Sequence, residues 1–312
     1  MSQEKIDTHQ HFFPKVYVDA VGLDLLAAVM PNGKAPSWSP QAAIAMMDAN
    51  GIREGILSVS SGPSLPDAAT LLRKCNDDAA DLRSRYKGRF GSFASLPLPD
   101  VDAALKEVAY CLDDLKVDGF IIFTNYDGRY LGDDLFKPLF EELDRRKAIA
   151  FIHPNQPAYD IPRVAPASVL EYPFETTRTA ASLIISGAMT RYKNIRFILS
   201  HAGGTLPFLA PRLALSISMM PKVAEQVGDP LAAIRSFYFD TALSAGTAPL
   251  SALAQIADPD HILFGTDFPF APNDAIRYFG EVLEEIAIPG IEKANVYRGN
   301  AARILGRPLD VR

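Results

Sequence analysis

The chain has 312 residues, 48% of them hydrophobic and 22% charged, with 31 basic against 37 acidic side chains and a formal net charge of −6. These values describe an ordinary globular chain, long enough to bury a sizeable core as one domain over residues 1–312, and they exclude a small stapled fold. An acidic balance without a dense Lys/Arg run argues against a nucleic-acid partner. Two cysteines, Cys75 and Cys111, cannot form a disulfide framework, and as reduced core thiols they fit a cytoplasmic protein. The N-terminus, MSQEKIDTHQHFF, lacks the basic-then-apolar pattern of a signal peptide. Every apolar stretch is broken well short of the ~20 residues a membrane span needs, so a soluble protein with no membrane partner is expected.

In chain order, short apolar runs alternate with stretches of helical apolar spacing. A run at residues 5–9 leads to a helix at 40–50, then 55–60 to 68–86, 90–96 to 101–115 and 119–124 to 135–146. The pattern continues with 148–153 and 174–192, 195–201 and 206–227, 237–243 and 249–257, and 261–267 and 273–286. A further helix is expected at 300–305. Mostly apolar strands suit burial on both faces of a parallel sheet, and eight strand–helix pairs predict a single (β/α)₈ TIM barrel. The competing open α/β sheet usually carries a glycine-rich phosphate loop after its first strand. Here that strand runs into HQHFFP, without glycine. The proline-containing loops at 21–36 and 155–166 are expected to build the rim of the active site.

The chain has five histidines: His9, His11, His153, His201 and His261. Four stand at or just past the C-terminal end of a predicted strand, which is the functional face of a barrel. Residues two apart on an extended chain point the same way, so His9 and His11 can grip one ion. His153 ends the fifth strand and Asp267 the eighth, around the same axial opening. Three imidazoles and a carboxylate suit Zn²⁺, Mn²⁺ or Fe²⁺. His201 ends the sixth strand, where it can serve as an acid/base group or a further ligand. Gly203 and Gly204 after it allow close approach or simply turn the chain. His261 begins the eighth strand at the opposite mouth and is read as structural. Phe12, Phe13, Trp38, Phe268 and Phe270 flank the motifs and are candidates for an aromatic pocket wall.

The motifs IDTHQHFFP, FIHPNQP, RFILSHAGGTLPF and ILFGTDFPF, in this order, resemble the amidohydrolase superfamily, and within it the aminocarboxymuconate-semialdehyde decarboxylase branch. The resemblance runs from Asp7 to Leu305. It implies metal ligands at His9, His11, His153 and Asp267 and a metal-adjacent catalytic histidine at His201, with either Asp267 or His201 expected to deliver the proton. It also implies an arginine that enters a neighbouring subunit's site to hold a substrate carboxylate, at Arg212, and hence a homodimer. Thr124 and Asn125 stand where two-metal members carry a bridging lysine, so a single divalent ion, Zn²⁺ or Mn²⁺, is expected. Ala43 and Ala45 replace basic residues associated with a dicarboxylate substrate, whereas PSWSP and FYFDTALSA are similar to decarboxylases of hydroxybenzoates such as 6-methylsalicylate. The expected partner is therefore a small aromatic carboxylic acid, bound with the help of Arg212, Trp38, Phe12 and Phe270. The expected reaction is its non-oxidative decarboxylation to CO₂ and a phenol. Hydrolysis of a lactone or amide is the alternative, because fold and metal do not fix the chemistry.

Overall fold

The computed structural model describes residues 4–309 apart from 29, 61–64, 66 and 163. Its main sheet has eight strands, all parallel and in sequence order: β1 Lys5–His11, β2 Ile52–Ser58, β3 Phe90–Ser95, β4 Gly119–Phe123, β5 Ile149–His153, β6 Arg196–Leu199, β7 Tyr238–Asp240 and β8 Ile262–Leu263. The expected (β/α)₈ barrel is the observed one. Its strands are apolar because they are covered on both faces: Phe120, Ile121, Ile122, Ala150, Phe151 and Ile152 are all essentially inaccessible.

The barrel closes beyond the two-residue β8. Thr8 N donates to Phe264 O at 2.9 Å, Asp267 N to His9 O at 2.8 Å and His11 N to Phe268 O at 2.7 Å. Closure therefore runs directly through three of the expected site residues, His9, His11 and Asp267. The buried carboxylate of Asp7 reinforces the seam, accepting from His9 N at 3.0 Å, Thr266 N at 3.0 Å and Gln10 Nε2 at 2.7 Å. At the opposite mouth, Arg307, two residues past Leu305, bridges Glu54 on β2 at 2.6 Å and Asp118, just before β4, at 2.8 Å.

Helices α1 Lys15–Val21, α2 Leu23–Ala28, α3 Pro40–Ala49, α4 Ala68–Arg85, α5 Val101–Tyr110 and α6 Lys137–Arg145 cover the first half. The second half carries α7 Glu171–Ile185, α8 Ala188–Arg191, α9 Leu206–Ser218, α10 Pro221–Val227, α11 Pro230–Arg235, α12 Thr247–Ile256, α13 Asn273–Glu285 and α14 Asn300–Leu305. Starts are encoded locally: Ser39 accepts from Ala42 N at 3.1 Å with Pro40 at the first turn, and Asp100 accepts from Ala103 N at 3.0 Å.

Several expectations are corrected. The helix expected at 174–192 breaks at Gly187, whose φ is 71°. That at 206–227 breaks before Pro221, which has no amide hydrogen to continue α9. The loop expected at 21–36 contains α2, and α1 and α11 were not foreseen. Neither was the short hairpin that pairs Asn125–Tyr126 with Arg129–Tyr130. Cys75 and Cys111 are buried free thiols. No helix among the described residues is long and apolar enough to cross a membrane.

Candidate metal centre and active site

His9 and His11 lie on β1, where the pairing with β2 jumps: Asp7 faces Gly55 but Gln10 faces Leu57. This extra residue is a bulge, a device that re-aims side chains near active sites. Both imidazoles are fully buried. His153, at the end of β5, sits beside them, with ring centroids 4.6 Å from His11 and 5.2 Å from His9. Asp267 completes the set. One donor atom from each of His9, His11, His153 and Asp267 falls within 4.8 Å of all the others.

The outer nitrogen of each ring is already committed. His9 Nδ1 lies 2.8 Å from Asp240 Oδ2, and His153 Nδ1 lies 3.0 Å from Pro154 O. Both partners only accept, so each Nδ1 carries the hydrogen. Ser58 Oγ donates to Gln10 O at 3.1 Å and lies 3.1 Å from His11 Nδ1, which must then be the donor to it. All three Nε2 lone pairs are left to converge. His9 Nε2 and His11 Nε2 approach to 3.1 Å, and Asp267 Oδ1 lies 3.3 and 3.2 Å from them while having no hydrogen bond of its own. Three buried ring nitrogens and a carboxylate oxygen without a hydrogen bond, aimed at one point, fit a cation, and outer partners that fix the tautomer are the usual support of a histidine metal site.

The charges agree. Burial and the neighbouring imidazoles hold His153 well below its ordinary range, and burial lowers His11. Burial works against the Asp267 carboxylate, but His9, His11 and His201 outweigh it and keep the group ionised. Burial also opposes charge on His9, yet the Asp240 and Asp267 carboxylates hold its pKa up at about 10 in the metal-free chain. A divalent ion would take the place of that proton.

His201 Nε2 lies 3.4 Å from Asp267 Oδ2, and its Nδ1 is buried without a partner. Both residues are held at positive φ, 54° for His201 and 65° for Asp267. That conformation is costly for residues with a Cβ and clusters at functional sites. Glycine is required on either side of the site. A Cβ on Gly204 would stand 2.0 Å from Pro173 O, and one on Gly265 2.9 Å from His9 Cβ.

Thr124 and Asn125, where a second metal would need a lysine, are occupied elsewhere. Thr124 Oγ1 accepts from Asn155 N at 3.0 Å, and Asn125 Nδ2 donates to Gln156 O at 3.1 Å and to Glu175 at 2.9 Å. The cluster therefore fits one metal ion.

A cavity of about 390 Å³ opens over the cluster, lined by His153, His201 and Asp267 at its base and by Phe270, Tyr172, Gln156, Leu25, Leu26 and Met30 among others. Phe270 stands there as expected, 5.2 Å from His11 between ring centroids. Phe12 and Trp38 do not. Phe12 is buried and packs on Trp38 at 5.8 Å, away from the cavity. Ala43 and Ala45, on α3, also lie off the wall. Arg212 is exposed on α9 and outside this chain's cavity. His261 stacks on Tyr238 at 3.9 Å at the far mouth. Sequence reasoning missed Asp240, which ends β7 in the run FYFD, and Tyr172. An acid at a strand end was the available signal for Asp240.

A one-metal barrel with this ligand set defines the class, and a family comparison names it: residues 6–307 match the amidohydrolase family, and the chain belongs to it. The 6-methylsalicylic acid decarboxylase of Aspergillus aculeatus is 40% identical over 320 residues, covering 97% of this chain and 96% of that one. A solved amidohydrolase II superposes with a TM-score of 0.89 at 30% identity over 97% of this chain and 100% of its own. At 22% identity, a dihydroxybenzoic acid decarboxylase from Polaromonas, solved with bound manganese, shares the fold, with a TM-score of 0.79 and 97% of each chain covered.

Proposed function

We propose that this protein is a metal-dependent decarboxylase, a carboxy-lyase that converts a hydroxybenzoate-type aromatic acid into CO₂ and a phenol. One observation carries the reading: three imidazole Nε2 atoms and one Asp267 oxygen converge under an apolar cavity, with the His201–Asp267 pair beside them. The strong likeness to 6-methylsalicylic acid decarboxylase over nearly the whole chain supports it. The barrel is taken as one catalytic domain over residues 1–312.

His9, His11, His153 and Asp267 would hold the ion. When bound, it supplies a Lewis acid that orients and polarises a phenol with an adjacent carboxylate. The chain's own residues do the rest. Loss of CO₂ directly from an aromatic ring would leave an aryl carbanion. The pair Asp267–His201 avoids this by delivering a proton to the ring carbon that bears the carboxylate. The carbon–carbon bond then breaks, its electron pair restores the aromatic ring, and CO₂ leaves. The apolar walls exclude water from the reacting carbon, with Phe270 placed to pack against the ring. No oxidant or organic cofactor enters the balance.

Zn²⁺ and Mn²⁺ both suit the donor set, and manganese in the Polaromonas relative supports the latter. Buried free thiols at Cys75 and Cys111 support a reducing, cytoplasmic setting. Arg212 lies on an exposed apolar ridge, with Phe208 82%, Leu215 65% and Met219 75% accessible. Such a ridge supports a homodimer in which Arg212 reaches toward the other subunit's substrate carboxylate.

The test is a metal-replete assay against ortho-hydroxybenzoic acids, following CO₂ and phenol together. Their joint appearance, lost on metal removal, is the expected result. Silence from fully metal-loaded protein overturns the reading and favours lactone or amide hydrolysis.

A further inference from the structure

A buried polar network, none of whose members is a metal ligand, pins α7 to the chain just after β4. Glu175, fully buried on α7, accepts from Asn125 Nδ2 at 2.9 Å, from Tyr130 Oη at 3.0 Å and from Arg178 Nη1 at 3.0 Å. One turn further along α7, Thr179 Oγ1 donates to Thr124 O at 2.8 Å. The same Asn125 amide donates to Gln156 O at 3.1 Å. One side chain thus anchors both the loop after β5 and the first turns of α7. The stretch between those anchor points brings Gln156, Ser168 and Tyr172 onto the wall of the cavity that also contains His201 and Asp267. Two hydroxyls on this wall are unspent. Ser168 Oγ is buried without a hydrogen-bond partner. Burial and the nearby Asp267 carboxylate hold the Tyr172 phenol above its ordinary range, while Gln156 donates to its oxygen and works the other way. The phenol's own hydrogen meets no acceptor among the described residues. Buried donors are rarely left without an acceptor, and exceptions at a cavity wall point to a ligand.

We propose that Tyr172 and Ser168 donate hydrogen bonds to an anionic oxygen of the bound aromatic acid, and that Asn125 is the positioning residue that sets them for it. The inference rests on the decarboxylase reading only for the class of ligand. Such an acid offers two anionic oxygens, carboxylate and phenolate, and either accepts strongly from an O–H donor. A neutral hydroxyl stabilises that charge without bringing a second cation up to the metal. The backbone of the wall is fixed before the ligand arrives, because Asn125 and Glu175 are bonded within the chain, so little ordering cost is left for binding.

Equilibrium binding tests this without turnover. The probes are 2-hydroxybenzenesulfonate, which cannot lose CO₂, and benzenesulfonate, which lacks the phenol. Calorimetry on metal-loaded protein should show Tyr172→Phe weakening the first probe about 10–100-fold and Ser168→Ala about three- to tenfold, the range for a hydrogen bond to a charged group, with metal content unchanged. If benzenesulfonate loses as much, the hydroxyls hold the acid oxygens. If only the hydroxylated probe is weakened, they hold the phenolate. Both variants binding within about threefold of wild type would show that water alone satisfies these hydroxyls and would overturn the proposal. Asn125→Ala should weaken 2-hydroxybenzenesulfonate about as much as Tyr172→Phe does, yet add less than about threefold once residue 172 is Phe. Should Asn125→Ala fail to hold metal, Glu175→Gln replaces it and should show the same coupling at smaller amplitude. A merely structural Asn125 would lower the melting temperature and weaken the probe equally in both backgrounds, and its positioning role would fall. Failure of the wider reading looks different. If affinity falls as stated but no 2-hydroxybenzoate releases CO₂, the decarboxylase assignment falls and the contacts stand. If Tyr172→Phe and Ser168→Ala release CO₂ with wild-type kcat/KM, the contacts fall and the decarboxylase stands.

Discussion

One carboxylate serves both halves of the centre. Asp240 Oδ2 lies 2.8 Å from His9 Nδ1, while its Oδ1 accepts from the backbone nitrogen of His201 at 2.9 Å. The same group thus orients an imidazole of the metal cluster and places the loop that carries His201, the histidine proposed for acid/base work. Asp240→Asn keeps the shape but no longer favours the His9 tautomer that frees Nε2. Metal affinity should fall about 10–100-fold, the usual loss when an outer partner is removed. Competition against a chelator of known affinity measures it. An unchanged affinity would show that the contact has no tuning role.

Metal uptake should depend steeply on pH. In the metal-free chain burial disfavours charge on His9, but the Asp240 and Asp267 carboxylates hold its pKa at about 10. Between pH 7 and 9 an entering ion must therefore expel a proton. Apparent affinity should rise about tenfold per pH unit over that range, with roughly one proton released per ion. Calorimetry in buffers of different ionisation enthalpy counts the protons. Uptake without proton release would contradict the assignment of the charge to His9.

Asp267 and His201 should separate binding from chemistry. Asp267→Asn keeps an oxygen ligand but removes the carboxylate that shares a proton with His201, so CO₂ release should fall by about 10³-fold or more while much of the metal is retained. His201→Gln should lower kcat by about 10²–10⁴-fold with little change in metal content. Metal analysis beside steady-state rates reads both. Near-normal turnover of metal-loaded Asp267→Asn would refute a part for Asp267 in the proton transfer.

Stability at the other mouth should hinge on Arg307. Removing it leaves Glu54 and Asp118, both nearly buried, without their shared counter-ion. Arg307→Ala should destabilise the fold by about 2–4 kcal/mol and lower the melting temperature by several degrees, with the metal site intact. A denaturant titration gives the figure. A change under about 0.5 kcal/mol would mean that solvent already compensates those carboxylates.

The exposed ridge on α9 gives an assembly test. Leu215→Glu should shift the protein toward monomer in sedimentation without unfolding it, because Leu215 is 65% exposed in the single chain. Arg212→Ala should keep the dimer and raise KM more than it lowers kcat. A wild type that sediments as a monomer would remove Arg212 from the catalytic account.

The strand–helix alternation and four of the site residues were legible in the sequence because they rest on short-range geometry. A parallel strand buried on both faces needs a continuous apolar run, and residues at or just beyond its C-terminal end, such as Asp267 four residues past β8, come to the mouth. That placed His9, His11, His153 and Asp267 correctly, and it placed His261 at the opposite end. Only the tertiary structure decided the rest. Asp240 acquires its role because barrel closure brings the end of β7 against a ring carried by β1, 231 residues earlier in the chain. The two flanking aromatics Phe12 and Phe270 are alike in sequence. The path of the chain beyond the first strand turns Phe12 into the core, while the turn after Asp267 leaves Phe270 on the cavity. Local pattern could not separate them, because the face a loop side chain presents is set by the elements that pack on it rather than by its neighbours in sequence.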